Sequence, residues 1–191
     1  MRNARSTALR VPVFGQGESD CGPTSLKAVC RFHGKRYSAR ALARLAGGAI
    51  DGVDHARLIR AARLTGAHVF SKAEGTLGEL AWFVSNGLPV IVGWWSQEQG
   101  DVPFDTKWSL AERRRGDCGH YSVVCGVTKN RVLLMDPQWE HPSTGWRIVG
   151  MRSLSRRHFL RVWYDTDTKQ LRRVDRWYMV VHYDPQLFEK R

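Results

Sequence analysis

The sequence is most informative first in what it has little of. No stretch approaches the ~20 uncharged apolar residues that a membrane-crossing helix requires. Only four cysteines occur in 191 residues (Cys21, Cys30, Cys118 and Cys125), at irregular spacing. A core of this size needs no stapling, so they do not form a disulfide framework. There is no periodic glycine, no low-complexity tract and no internal repeat, which excludes a collagen-like rod and a repeat array. The first ten residues carry Arg2, Arg5 and Arg10 with no apolar segment behind them, which argues against a secretory signal and makes the cytoplasm the expected compartment. Acidic residues are scarce as well: 18 Asp and Glu face 30 Lys and Arg, a net charge of +12 spread along the whole length.

What is present is a folding composition. Apolar residues make up 42% of the chain and eight are tryptophan, enough to bury a real core. The length suits one domain over residues 1–191 with an insertion. After Val11-Pro12-Val13-Phe14 and the polar turn Gly15 to Asp20, the apolar positions Leu26, Val29, Cys30 and His33 recur at helical spacing. Pro23 lies where a first turn accepts it, and Gly34 marks the stop. Further helices are expected over Ser38 to Ala46, Asp54 to Leu64 and Thr76 to Asn86, the first ended by Gly47-Gly48. Pro89 to Trp95 has the make-up of a buried strand. Residues 96–118, charged and holding Arg113-Arg114-Arg115, read as an insertion or lid. Strands are expected at His120 to Val127, Arg131 to Met135, Gly145 to Val149 and Trp177 to Tyr183, with a helix at Leu154 to Trp163. Helices first and strands afterwards predict an α+β fold with an antiparallel sheet.

A nucleophile, a base and an orienting acid fall at element boundaries. Cys21 opens the first helix, where unpaired N–H groups and the helix dipole favour a thiolate. His120 opens a strand after Gly119, and its imidazole can take or return the thiol proton. Asp136 closes the run Val132 to Met135 before Pro137, which requires an extended backbone at that point. A hairpin turning at Thr128-Lys129-Asn130 brings His120 and Asp136 side by side, so that the carboxylate orients the ring. Gln16, five residues before Cys21 across a Gly-rich turn, can join the Cys21 N–H in binding the charge on an attacked carbonyl. The set points to acyl transfer or amide hydrolysis, with no cofactor and no metal.

The other reactive residues read as structure. Cys30 is in register with Leu26 and belongs to the core. Cys118-x-His120 with Cys125 fits no common zinc spacing, and Cys118 is expected to flank the cleft. His33, His55, His68, His141, His158 and His182 are structural. Trp94, Trp95, Trp139 and Trp146 are expected in the core. Arg40, Arg44, Arg57, Arg60 and Arg63 form a solvated outer face, and no nucleic-acid motif accompanies them, so nucleic acid is not the expected partner.

Gln16-x-x-x-Asp20-Cys21-Gly22-Pro23-Thr24-Ser25-Leu26, then Gly34, the Leu42 to Gly52 stretch, Gly119-His120-Tyr121-Ser122-Val123-Val124, Asp136-Pro137 and Leu154-Ser155…Phe159…Trp163 follow one another in a motif order. This order resembles the bacteriocin-processing double-glycine peptidases, a family of papain-like cysteine peptidases, over about Gln16 to Trp163. The resemblance implies a papain-like α+β fold, Cys21 as nucleophile, His120 as base, Asp136 as orienter and Gln16 in the oxyanion hole. It also implies cleavage of leader peptides after Gly-Gly during export. Known members are usually fused to membrane-spanning and ATP-binding transporter domains, and no Walker-type glycine loop is present in this sequence. The expected partner is therefore a peptide or protein substrate, with the chain acting either alone or with a separate transporter. The sequence assigns no oligomeric state. The rival reading is a non-catalytic module of the same fold that binds a leader without cutting it.

Overall fold

The computed structural model describes residues 8–17, 19–48, 52–95, 119–140, 147–167 and 172–187. The expected insertion at 96–118 with Cys118, the expected strand start at Gly145, and His141 and Trp146 lie outside the described residues.

Four helices fill the first half: α1 (Cys21–Phe32), α2 (Ala39–Leu45), α3 (His55–Leu64) and α4 (Leu77–Ser85). The last three begin on side-chain caps. Ser38 accepts from the Ala41 N–H, Asp54 from Arg57, and Thr76 from Glu79, whose carboxylate returns a 2.7 Å bond to the Thr76 N–H. These caps satisfy donors that the first turn of a helix cannot satisfy itself. Gly47 and Gly48, at φ 89° and 92°, end α2 in the left-handed region that glycine enters without strain, as expected for this pair.

The sheet has six strands in the order β1-β8-β2-β3-β4-β5, and every pairing is antiparallel. Its members are β1 (His68–Lys72), β2 (Val90–Trp95), β3 (Gly119–Val127), β4 (Arg131–Glu140), β5 (Arg147–Ser155) and β8 (Tyr178–His182). Between the last two lie α5 (Arg156–Val162) and a separate hairpin of β6 (Tyr164–Asp167) and β7 (Arg172–Asp175). The α+β expectation holds. No helix among the described residues is long and apolar enough to cross a membrane.

Both faces of the sheet are covered. Tyr121, Val123, Ile91, Met179 and Val181 join Leu26, Val29, Leu42 and Leu58 of α1, α2 and α3 on one face. Val124, Val92, Trp94, Tyr178 and Val180 join Leu80, Phe83, Phe159 and Trp163 of the α4 and α5 side on the other. Successive strand residues point to opposite faces, so central strands buried on both sides read as continuous apolar runs.

Four expectations need correction. β1, β6 and β7 are strands that the sequence reading did not anticipate: β1 is only five residues long, and the polar β6 and β7 take their state from their partners rather than from propensity. β4 does not stop at Asp136 but continues to Glu140. Its register with β5 shifts between Asp136 and Trp139 and its register with β3 ends at Val123↔Met135, so the missing N–H of Pro137 breaks no ladder. β5 runs on to Ser155, and the following helix starts only at Arg156, capped by Ser155. Finally, Arg57 is not on the solvated face. It is half-buried and donates to the Ala46 carbonyl at 2.9 Å, to Gly52 at 3.3 Å and to Gly48, so its guanidinium ties down carbonyls of the α2–α3 connection.

The approach of Gly75 to β8 gives a test of packing. A Cβ there would lie 2.6 and 2.7 Å from ring carbons of the fully buried Tyr178 and 3.0 Å from the Arg176 carbonyl. Neither neighbour can retreat without disturbing the sheet. Gly75→Ala is expected to cost about 1–3 kcal/mol, read as a lower denaturant midpoint at unchanged m-value.

Candidate active site

The segment that begins α1 is built for close contact with β3. Cys21 is the first helical residue, and the N-cap Asp20 makes no side-chain cap. Its Oδ1 turns back to accept from the Gly17 N–H at 2.5 Å. The first helical bond runs from Thr24 N–H to the Asp20 carbonyl at 2.8 Å, and Pro23 has no N–H to offer. The helix itself therefore makes no use of the N–H groups of Cys21 and Gly22. Gly22 lets the Tyr121 ring come close, since a Cβ on it would lie 3.1 Å from Tyr121 Cδ2. Three residues on, the Ser25 hydroxyl donates to the Tyr121 carbonyl at 3.0 Å in a fully buried bond. The nucleophile candidate is thus fixed in register with the strand that carries His120.

His120 and Asp136 meet as the hairpin predicts. His120 Nε2 lies 2.6 Å from Asp136 Oδ1, and Cys21 is the second group whose proximity raises the pKa of the same imidazole. Burial disfavours the imidazolium, but the hydrogen bonds to Asp136 and Cys21 and the charges of both outweigh it. The His120 pKa is raised from 6.5 to about 10. Asp136 is fully buried, and its Oδ1 also accepts from the Gln138 N–H at 3.1 Å.

Gln16 reaches the same end of the sheet. Its backbone N–H donates to the Pro137 carbonyl at 3.2 Å, next to Asp136, and its side-chain oxygen is buried without a hydrogen-bond partner. The other described cysteines are unlike Cys21. Cys30 and Cys125 are fully buried, and burial pushes the Cys30 thiol up and the Cys125 thiol up to about 11. Among the described residues no group of His, Cys, Asp and Glu could hold a metal ion. His55 is structural, as expected: its Nε2 lies 3.2 Å from Asp165 Oδ2 and its ring stacks on Trp177 at 4.0 Å, tying α3 to β6.

Two participants in this cluster were not expected as such. Trp94, correctly placed in the core, turns its ring edge to His120 with centroids 6.0 Å apart, and its Nε1–H donates to Ser122 Oγ at 3.0 Å. Arg152 of β5, 5% exposed, points its Nη1 at Asp136 Oδ2 from 3.6 Å. It was missed because β5 was expected to end at Val149. A strand extended to Ser155 would have put Arg152 beside Leu154 in alternation, a charge on an apolar face.

A family model described as "Peptidase_C39 like family" matches residues 8–170. The peptidase domain of Streptococcus ComA, a bifunctional ABC transporter involved in quorum sensing, shares the fold with a TM-score of 0.59 at 20% identity, over 92% of this chain and 100% of that one. A double glycine motif protease from an AMS/PCAT transporter, solved in complex with the leader peptide, shares it with a TM-score of 0.61 at 18% identity, over 93% of this chain and 94% of that one. No curated protein matches the sequence.

The raised His120 pKa sets a pH dependence of stability. The folded state holds this proton more tightly than the unfolded chain, so the contribution is complete below pH 6.5, declines above it, and is lost as pH rises through about 10. Melting temperature is expected to fall across that window, and His120→Asn is expected to flatten the decline. Parallel melting curves for the two proteins against pH would contradict the assignment.

Proposed function

The chain belongs to the Peptidase_C39 like family, and from that membership we propose that it is a cysteine peptidase acting through Cys21, His120, Asp136 and Gln16. The observation that supports the reading is His120 itself, with Nε2 on the buried Asp136 carboxylate at 2.6 Å and Cys21 among the groups that raise its pKa. In this mechanism the Cys21 sulfur, its proton held by His120, attacks the scissile carbonyl carbon. The oxyanion that forms is received by the Cys21 N–H and the Gln16 amide. His120 then gives its proton to the departing amine, leaving a thioester on Cys21. Water, giving a proton to His120, attacks the thioester and releases the acid. Asp136 holds the ring in the tautomer and orientation that both halves need.

For substrate we carry over the class that the relatives suggest, a leader peptide cut after a double glycine. The solved relative in complex with a leader peptide supports this choice. So does an apolar strip on β5, where Val149 and Met151 are 43% and 54% exposed on one face. Such a strip suits the apolar side of a leader helix.

The test uses the full chain and synthetic leader peptides with and without Gly-Gly. Wild type is expected to cut the first and to trap a thioester visible by intact mass, whereas Cys21→Ala should lose cleavage by at least about 10³-fold. Gln16→Ala should lower kcat by roughly 10²-fold with little change in KM. Tight leader binding by wild type with no cleavage would instead identify a leader-binding module.

A further inference from the structure

Asp136 is a demanding group among the described residues. It is fully buried, and a carboxylate out of water needs compensation on both oxygens. Oδ1 has it, from His120 Nε2 at 2.6 Å and the Gln138 N–H at 3.1 Å. Oδ2 makes no hydrogen bond, and the cation facing it is Arg152, 3.6 Å away. Arg152 stands opposite Leu134 in the β4–β5 register, on the face of the second core, where a guanidinium is costly. Its carbon sits 5.0 Å from the centre of the Trp94 ring, the ring whose edge meets His120. A planar guanidinium fits an indole face as an ammonium does not. Trp94 is in turn fixed through its bond to Ser122.

We propose that Arg152 is a positioning residue for the Cys21–His120 pair, its guanidinium facing the otherwise uncompensated Oδ2 of Asp136 and so holding Oδ1 turned to the imidazole. The proposal rests on the peptidase reading of the site. Charges alternate along the line from thiolate through imidazolium and carboxylate to guanidinium, and the line is neutral as a whole. Among the described residues the ion pairs of Asp136 are with His120 from β3 and Arg152 from β5, and Cys21 of α1 lies beyond the ring. Without Arg152 the buried line carries one excess negative charge. That excess is relieved by a proton on the carboxylate or on the sulfur. Either event removes the reactive form of Cys21 from the acid side, so both effects have the same sign. A purely structural ion pair behaves differently, since replacing a buried pair member affects stability and leaves the titration of a distant thiol where it was.

The experiment needs no peptide substrate. Iodoacetamide labelling of Cys21 in the full chain is followed by mass spectrometry against pH for wild type, Arg152→Met, Arg152→Gln and Arg152→Lys, with a melting curve for each. Wild-type Cys21 should label well ahead of Cys30 and Cys125 under acidic conditions. The Met and Gln variants should move the acid limb upward by about one pH unit, a roughly tenfold slower rate at its foot. The Lys variant, keeping the charge but not the fit to the Trp94 face, should recover part of that shift. Gln keeps polarity at the site, so it carries the test if Met does not fold. Acid limbs that superimpose on wild type in a folded, uncharged variant overturn the role of Arg152 alone. A wild-type Cys21 no more reactive than the other thiols overturns the peptidase reading and this proposal with it.

Discussion

A carboxylate sealed from water is the constraint around which the site is arranged. Asp136 is at 0% exposure, and its 2.6 Å bond to His120 is what makes an imidazolium stable in a place where burial alone would neutralise it. The two residues come from neighbouring antiparallel strands, so the bond needs a hairpin to form. It also needs the irregularity after Asp136, because β4 there gives up its regular register with β5 and the Gln138 N–H turns to the carboxylate instead. The strand is distorted where the acid must be held.

The second requirement is that a helix from the other end of the sequence arrive at the same point. Three demands meet in one short stretch of α1. Gly22 lets the helix touch Tyr121, Pro23 occupies a position where an N–H would have no helical partner, and Ser25 bonds the Tyr121 carbonyl. The core behind it is the means of holding this contact. α1 to α3 and the pair α4 and α5 press on opposite faces of the sheet, which leaves its central strands no freedom to slide. A slip of one residue in β3 would carry His120 to the opposite face.

Much of this was legible in the chain because it is encoded locally. Helix limits follow from Ser38, Asp54, Thr76 and the glycines after each helix, all of them neighbours in sequence of what they control. Cys21 opens its helix at a Gly-rich turn, and His120 and Asp136 are brought together by one short hairpin, so their placement is equally local. The elements that escaped reading are those whose state is set by a partner. β6 and β7 are rich in Asp, Thr and Arg and become strands by pairing with each other. Arg57 looks like any surface arginine until the carbonyls of Ala46, Gly48 and Gly52 converge on it.

The amino-acid order by itself determined the α+β class, the start of the first helix at Cys21 and the hairpin that sets His120 beside Asp136, because each depends on contacts within a few residues or across one tight turn. Only the tertiary structure decided that Cys21 comes near enough to His120 to act on its pKa, that Pro137 sits inside a strand, and that Arg152 from a third strand stands behind the acid. Those facts depend on groups up to 131 positions apart in the numbering meeting away from water, where the cost of an uncompensated charge, and not any local preference, selects the partner.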